Sequence, residues 1–317
     1  MTREVLVVLH AGREPNRRTA AAVARRLATD GIRLRVLAEE WPEVPDDALP
    51  RTLAPRMVDG RVGCADGAEV VLVLGGDGTL LRAAEMARPV GVALLGVNLG
   101  RVGFLAEAEQ ESLDAALDAV VNGSYAIEER MTLDVLARSN GDVFARTWAL
   151  NEVSVEKQRR ERILEVVLEV DGRPVSGFGC DGVICSTPTG STAYAFSAGG
   201  PVVWPQVEAL LLVPSNAHAL FARPMVISPY SAVAIEVDAD GPAAVLDCDG
   251  RRIVELPPGA RVELSRGAQP VRMVRLDGRP FADRLVRKFD LPVRGWRGRC
   301  GSTADSPVPS KPVGPEP

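Results

Sequence analysis

The sequence predicts an α/β N-terminal domain with a parallel sheet, followed by an all-β, sandwich-like C-terminal domain. Three observations carry this expectation. Over the first third, β-type apolar runs alternate with stretches of helical periodicity, as in βαβ units. One of those runs, residues 69–74, is almost wholly apolar, as suits a strand buried on both faces. From about residue 125 short β-rich runs follow one another directly, separated by turn-forming dipeptides.

In order, residues 5–9 read as a strand and 15–30 as a helix stopped by Gly31. Residues 32–38 are a second strand, and the Pro-rich 41–55 a loop. Strand 69–74, helix 79–87, strand 92–97 and helix 112–121 complete the first domain, placed at residues 1–124. The β-rich domain is placed at residues 125–278. Its expected strands are 131–138, 145–155, 163–170, 183–186, 226–227, 233–237, 244–248, 261–264 and 271–276, with one helix near 206–212. Asn140-Gly141, Asp171-Gly172, Asp249-Gly250 and Asp277-Gly278 are good hairpin turns. Residues 279–297 hold a final amphipathic helix, with Phe281, Leu285 and Val286 on one face and Arg284, Arg287 and Lys288 on the other. The Ser/Pro/Gly-rich residues 298–317 read as a disordered tail, and no internal repeat is evident.

The 317 residues suit two domains, and 46% hydrophobic with 25% charged residues is the balance of a folded globular protein. A net charge of −5 argues against a broad nucleic-acid surface but leaves room for a local phosphate pocket. Five cysteines, an odd count with no C-x-x-C pair, argue against a disulfide framework or structural zinc. Two histidines nearly exclude a His-rich metal site. Residues 5–9 are too short for a signal peptide, and the apolar stretch 90–106 is interrupted by Asn98, Arg101 and glycines, a poor membrane span. A cytoplasmic protein with reduced thiols is expected.

The most informative stretch runs from the strand at residues 71–74 into Gly75-Gly76-Asp77-Gly78-Thr79 and a helix. This is the C-terminal end of a parallel strand, where open α/β sheets bind ligands. Gly75, Gly76 and Gly78 allow close backbone approach, Thr79 can cap the helix, and free N–H groups there suit phosphate oxygens. Asp77 could take a proton from an attacking hydroxyl or help hold Mg²⁺. A tight turn with a solvated Asp is the bland alternative. The stretch is neither a Walker A loop nor G-x-G-x-x-G. A second cluster runs from Asp181-Gly182 through Thr187-Pro188-Thr189-Gly190-Ser191-Thr192-Ala193-Tyr194. It is either a polar loop or a surface for ribose and adenine, with Tyr194 stacking or packing. A third, Asn151-Glu152, sits in a β-rich run although both residues are depleted in strands. It is a solvated edge, or a bulge aimed at a ligand.

Taken in order and spacing, Gly75-Gly76-Asp77-Gly78-Thr79, Asn151-Glu152 and the segment from Asp181 to Tyr194 resemble the NAD kinases. The segments from Val213-Pro214 through His218 to Arg223-Pro224 and at Asp249-Gly250 add to the resemblance, which runs from about residue 5 to 286. The first motif is shared with lipid kinases and phosphofructokinases, whereas the long Thr/Ser segment is more specific. The resemblance implies that the final helix returns to the first domain and that family members are homodimers or homotetramers. It implies transfer of a phosphoryl group from ATP, with Mg²⁺, to the 2′-hydroxyl of NAD's adenosine ribose, forming NADP. By the same resemblance Asp77 is the proton acceptor, and Gly78 and Arg82 lie against the dinucleotide. Asn151 and Glu152 hold ribose or adenine, and Asp181 meets the nicotinamide end. Thr189 and the run Thr192, Ala193, Tyr194, Ala195, Phe196 and Ser197 line the adenosine portion. Arg162, Asp249 and Arg251 are further ligand contacts. Gly179, where some relatives carry a large basic residue, resembles members that also accept inorganic polyphosphate. No residue is marked as a metal ligand. A membrane-bound lipid kinase and a non-catalytic NAD-binding module are the rival readings. The lipid kinase would want a basic amphipathic helix or lipid anchor, neither of which is seen.

Overall fold

The computed structural model describes residues 3–10, 12, 14–41, 55–100, 103–159, 161–276 and 280–293. The expected loop at 42–54, the turn at Asp277-Gly278 and the tail at 298–317 lie outside the described residues.

The first sheet has eight strands. Its order is Arg56–Val58, Arg33–Leu37, Glu4–Leu9, Val70–Gly75, Ala93–Asn98, Val271–Arg275 and Ala126–Arg130, with Ala108–Glu109 added beside Ala93–Asn98. All pairings are parallel except that of Val271–Arg275 with Ala126–Arg130. Helices α1 (Glu14–Thr29) and α3 (Leu113–Asn122) cover one face over Val5, Val7, Leu72 and Leu95. Helix α2 (Asp77–Ala87) covers the other over Leu6, Val8, Val71 and Val73. Cover on both faces is why Val70–Gly75 is apolar throughout and buried at every position.

Two six-stranded antiparallel sheets form the rest. They face each other across one core, to which one sheet gives Val135, Val166 and Ile235 and the other Val155, Cys185 and Leu246. Asn140-Gly141 and Asp171-Gly172 take positive φ, the geometry that two-residue hairpin loops demand, and Asp249-Gly250 does so in a three-residue loop between Cys248 and Arg252. The α/β-plus-β architecture is therefore as expected.

Four details differ from the sequence reading. The run at 145–155 is two strands, Asp142–Ala149 in one sheet and Glu152–Lys157 in the other, with Leu150-Asn151 as the crossing. The helix expected near 206–212 is strand Leu210–Ser215, because a short apolar run buried on both sides carries no periodicity to tell the two apart. The strands Ala126–Arg130 and Val271–Arg275, counted with the second domain, hydrogen-bond to each other and extend the first sheet. Finally, Arg284 in helix α5 (Phe281–Phe289) is not on an exposed face. It is buried against Glu107, while Phe281, Leu285 and Val286 are only half-buried. The helix does return to the first domain, through Arg284 and the ring of Phe104.

Candidate active site

Strand Val70–Gly75 ends beside Ala93–Asn98, with Gly75 in register with Asn98. The chain turns at Gly76 and α2 begins at Asp77. Thr79 is thus the third helical residue and not the cap, and α2 has no side-chain cap at all. Thr79 packs back instead. A Cβ on Gly75 would stand 2.5 Å from its Oγ1, so only glycine lets the strand end pass the helix. Around Gly76 and Gly78 a Cβ would meet nothing within 4 Å. Those two residues face an open cavity of about 820 Å³. Helix geometry leaves the first-turn N–H groups without helical acceptors, so this wall suits phosphate.

Two arginines edge the cavity. Arg82 donates to the Leu9 carbonyl at 3.0 Å and pairs with buried Glu40, which also accepts the Leu9 N–H at 2.9 Å. Burial pushes the Glu40 carboxyl up, against the pull of the Leu9 N–H and Arg82. Arg251 comes from the second domain and binds Glu85 of α2 at 2.8 and 3.1 Å. Asp77 does not line the cavity. Its carboxylate accepts N–H bonds from Phe104 and Leu105, both at 3.1 Å.

The Asn151-Glu152 pair lies at the crossing between the two β-sheets, behind which Asp249 is buried. Asp249 accepts N–H bonds from Leu150, Asn151 and Glu152 and a guanidinium bond from Arg252 at 2.7 Å. It holds the backbone of the pair from behind, with its carboxylate turned to those N–H groups. The Thr187 hydroxyl donates to the Leu150 carbonyl at 2.6 Å and accepts the Gly190 N–H. Residues 189–192 thereby press on Asn151, whose carbonyl oxygen a Cβ on Gly190 would overlap. Thr189 is buried there, Thr192 half-buried. Glu152 is 8% exposed. Burial, then the neighbouring Asp249 charge, raise its carboxyl to about 8 despite an N–H bond from Tyr194. Among the described residues, Glu152 Oε2 and Asn151 Oδ1 are buried and meet no hydrogen-bond partner. Tyr194, partly exposed, hydrogen-bonds Glu156. It opens the short helix α4 (Tyr194–Ser197), in which Ala195 is buried while Phe196 and Ser197 are exposed and Ala193 precedes them.

Asp181 pairs with Lys157 and accepts a bond from Asn216 Nδ2 at 2.8 Å, which together keep its carboxyl low. Gly179 bridges to His218, whose N–H meets its carbonyl at 2.8 Å. Arg162 is exposed in the turn before Leu164–Val170 and does not line the cavity. The sequence reading missed Glu40, Glu85, Arg252 and Glu107. Asn98 could have been found, since it ends the strand next to Gly75. The acidic partners carried no local signal, because each is set by a residue far away in the chain. Among the described residues no cluster of three or more His, Cys, Asp or Glu could hold a metal ion.

Residues 5–125 match the ATP-NAD kinase N-terminal domain, and residues 150–276 match the ATP-NAD kinase C-terminal domain. The chain belongs to the ATP-NAD kinase family. It is 59% identical over 296 residues to NAD kinase 2 of Streptomyces avermitilis, across 93% of this chain and 97% of that relative. Its fold is similar to that of yeast NADH kinase complexed with NADH, with a TM-score of 0.84 at 19% identity over 92% of this chain and 89% of that one. It is also similar to an NAD kinase from Archaeoglobus fulgidus in complex with ATP, with a TM-score of 0.69 at 24% identity over 91% of this chain and 100% of that one. At these identities the two structures speak for the fold of this kinase.

Proposed function

We propose that this kinase transfers the terminal phosphoryl group of ATP to the 2′-hydroxyl of NAD's adenosine ribose, yielding NADP. The observation that supports it most is the buried, partnerless Glu152 Oε2 and Asn151 Oδ1. Buried acceptors left without donors are costly, and an adenosine supplies donors of the right kind in its ribose hydroxyls and its exocyclic amine. In this reading Thr189 and residues 192–197 line the adenosine, and Asp181 meets the nicotinamide end. The donor phosphates enter the cavity at Gly76 and Gly78, where they draw Arg82 and Arg251 from their carboxylate partners. Asp77 takes the proton of the attacking 2′-hydroxyl, and in-line transfer follows from positioning and charge neutralisation.

A divalent ion such as Mg²⁺ would supply charge neutralisation on the donor phosphates. Such an ion arrives bound mainly to those phosphates. The buried, unpaired thiols of Cys180, Cys185 and Cys248 suit the reducing cytoplasm, where both substrates are found. A homo-oligomer and the use of polyphosphate rest on the family resemblance, the latter at Gly179.

The test is a coupled assay for NADP formed from NAD with Mg²⁺ and either ATP or polyphosphate. NADP with ATP is the expected result. Folded protein that binds NAD but makes no product with either donor would point instead to a binding module.

A further inference from the structure

Helix α5 reaches the site through one buried arginine. Arg284 is 8% exposed, ion-pairs with Glu107 and donates to the Phe104 carbonyl at 3.3 Å. Glu107 is anchored in turn to the first sheet, by Arg275 and by the Leu276 N–H at 3.1 Å. The other side of residue 104 faces α2, where the Phe104 and Leu105 N–H groups hold the Asp77 carboxylate. The fit is tight, for a Cβ on Gly103 would overlap that carboxylate. A shift of residues 103–105 would therefore carry Asp77 with it. The rings repeat the connection. Phe289 lies 5.6 Å from Phe104 and 4.7 Å from Phe196 of α4.

We propose that Arg284 is a positioning residue for phosphoryl transfer. By fastening the carbonyl of residue 104 it fixes the two N–H groups that orient Asp77. The inference rests on the reading of Asp77 as the proton acceptor. An arginine suits the task because its planar fork can meet a carboxylate and a carbonyl at once, which a lysine does less well. The effect should fall on the chemical step, since a displacement of about 1 Å at a reacting group costs on the order of 10²-fold in rate.

The experiment measures kcat and both KM values for the full chain carrying Arg284→Ala or Arg284→Lys, each alone and combined with Asp77→Asn. In the wild-type background Arg284→Ala should lower kcat roughly 10- to 100-fold and leave KM for NAD and ATP within about two-fold. Arg284→Lys should recover part of the loss. In the Asp77→Asn background neither should cost anything further, because the group they act through is already gone. Val286→Ala, half-buried on the same helix and outside the ring cluster, is the control for packing: it should lower the melting temperature but keep kcat. Equal losses in both backgrounds, or an unchanged kcat in folded Arg284→Ala, would overturn the inference. Should Arg284→Ala fail to fold, Arg284→Lys carries the same comparison. Near-normal turnover of Asp77→Asn alone would sink the underlying role of Asp77 and the inference with it, whereas a dead Asp77→Asn with additive losses sinks the inference only.

Discussion

The carboxylate of Asp249 lies 2.7 Å from the backbone nitrogen of Asn151 and 2.9 Å from that of Leu150. One buried side chain from a hairpin turn thus holds, from behind, the dipeptide whose Asn151 Oδ1 and Glu152 Oε2 lack partners. An Asp249→Asn variant keeps the shape but puts amide hydrogens where acceptors are needed. Losing charge-assisted bonds to buried N–H groups and the ion pair with Arg252, which keeps Glu85 and the Trp148 carbonyl, should cost about 3 kcal/mol. The Michaelis constant for NAD should rise more than that for ATP, because Asn151-Glu152 is the part released. Urea unfolding and steady-state kinetics check both, and an unchanged KM for NAD would count against the supporting role.

Most of the fold was legible because its signals are local. The apolar run before Gly75, the helix stop at Gly31 and the Asn-Gly and Asp-Gly turns each carry their physics within a few residues. What was not legible depends on partners distant in sequence. Strand 271–275 returns to the first sheet beside Ala93–Asn98, a pairing no local pattern encodes. Arg284 reads as a solvated helix arginine until Glu107, 177 residues away, is brought against it. The site divides likewise. Gly76 and Gly78 could be placed from the strand–turn–helix pattern alone. For Asp249 only the fold shows its carboxylate turned to backbone N–H groups.

Glu152 predicts a pH dependence. In the folded free protein its carboxyl is raised from 4.5 to about 8. The folded state therefore holds this proton where the unfolded chain has lost it. Its contribution is full below pH 4.5 and is lost as the pH rises through about 8. Glu152→Gln removes that slope. Measured by urea unfolding without ligand, the stability of the variant relative to wild type should increase between pH 5 and pH 8. A constant difference across this window would show that the carboxyl is not held protonated. If NAD binding draws the proton off, so that both carboxylate oxygens accept from the nucleotide, the same variant should also raise the KM for NAD, because the amide keeps one acceptor and puts an NH2 in place of the other.

Two glycines of the site should fail for opposite reasons. At Gly190 an added methyl overlaps the Asn151 carbonyl and stands 2.6 Å from Ser186 Oγ, and the carbonyl is backbone that cannot swing away. Gly190→Ala should cost about 1–3 kcal/mol of stability and raise the KM for NAD. At Gly78 the same methyl meets no heavy atom within 4 Å and points into open space beside α2. Gly78→Ala should leave thermal stability unchanged or slightly higher, since alanine is the better helix former. It should nevertheless raise the KM for ATP, because the methyl occupies the approach of the phosphates. Calorimetry and kinetics on the pair separate the two cases, and a Gly78→Ala enzyme with ordinary ATP kinetics would move the phosphates elsewhere.

Gly179 bears on the phosphoryl donor. It is buried in strand Arg173–Cys180, where an added Cβ would meet Glu165 Oε1 and Ile163 Cγ2 at 2.7 Å. Glu165 Oε1 is the far end of a flexible side chain and Ile163 is half exposed, so both can turn aside and Gly179→Arg should fold. The new guanidinium would come to rest near Glu165, a partner able to hold it. If the small residue is what admits polyphosphate, the substitution should lower the polyphosphate-driven rate at least tenfold relative to the ATP-driven rate, a difference of about 1.4 kcal/mol in transition-state stabilisation. Both rates are measured on the same preparation, so that any loss of folded protein cancels in the ratio. An unchanged ratio would mean that donor choice is set elsewhere, with Arg82 and Arg251 at the cavity edge the next positions to exchange.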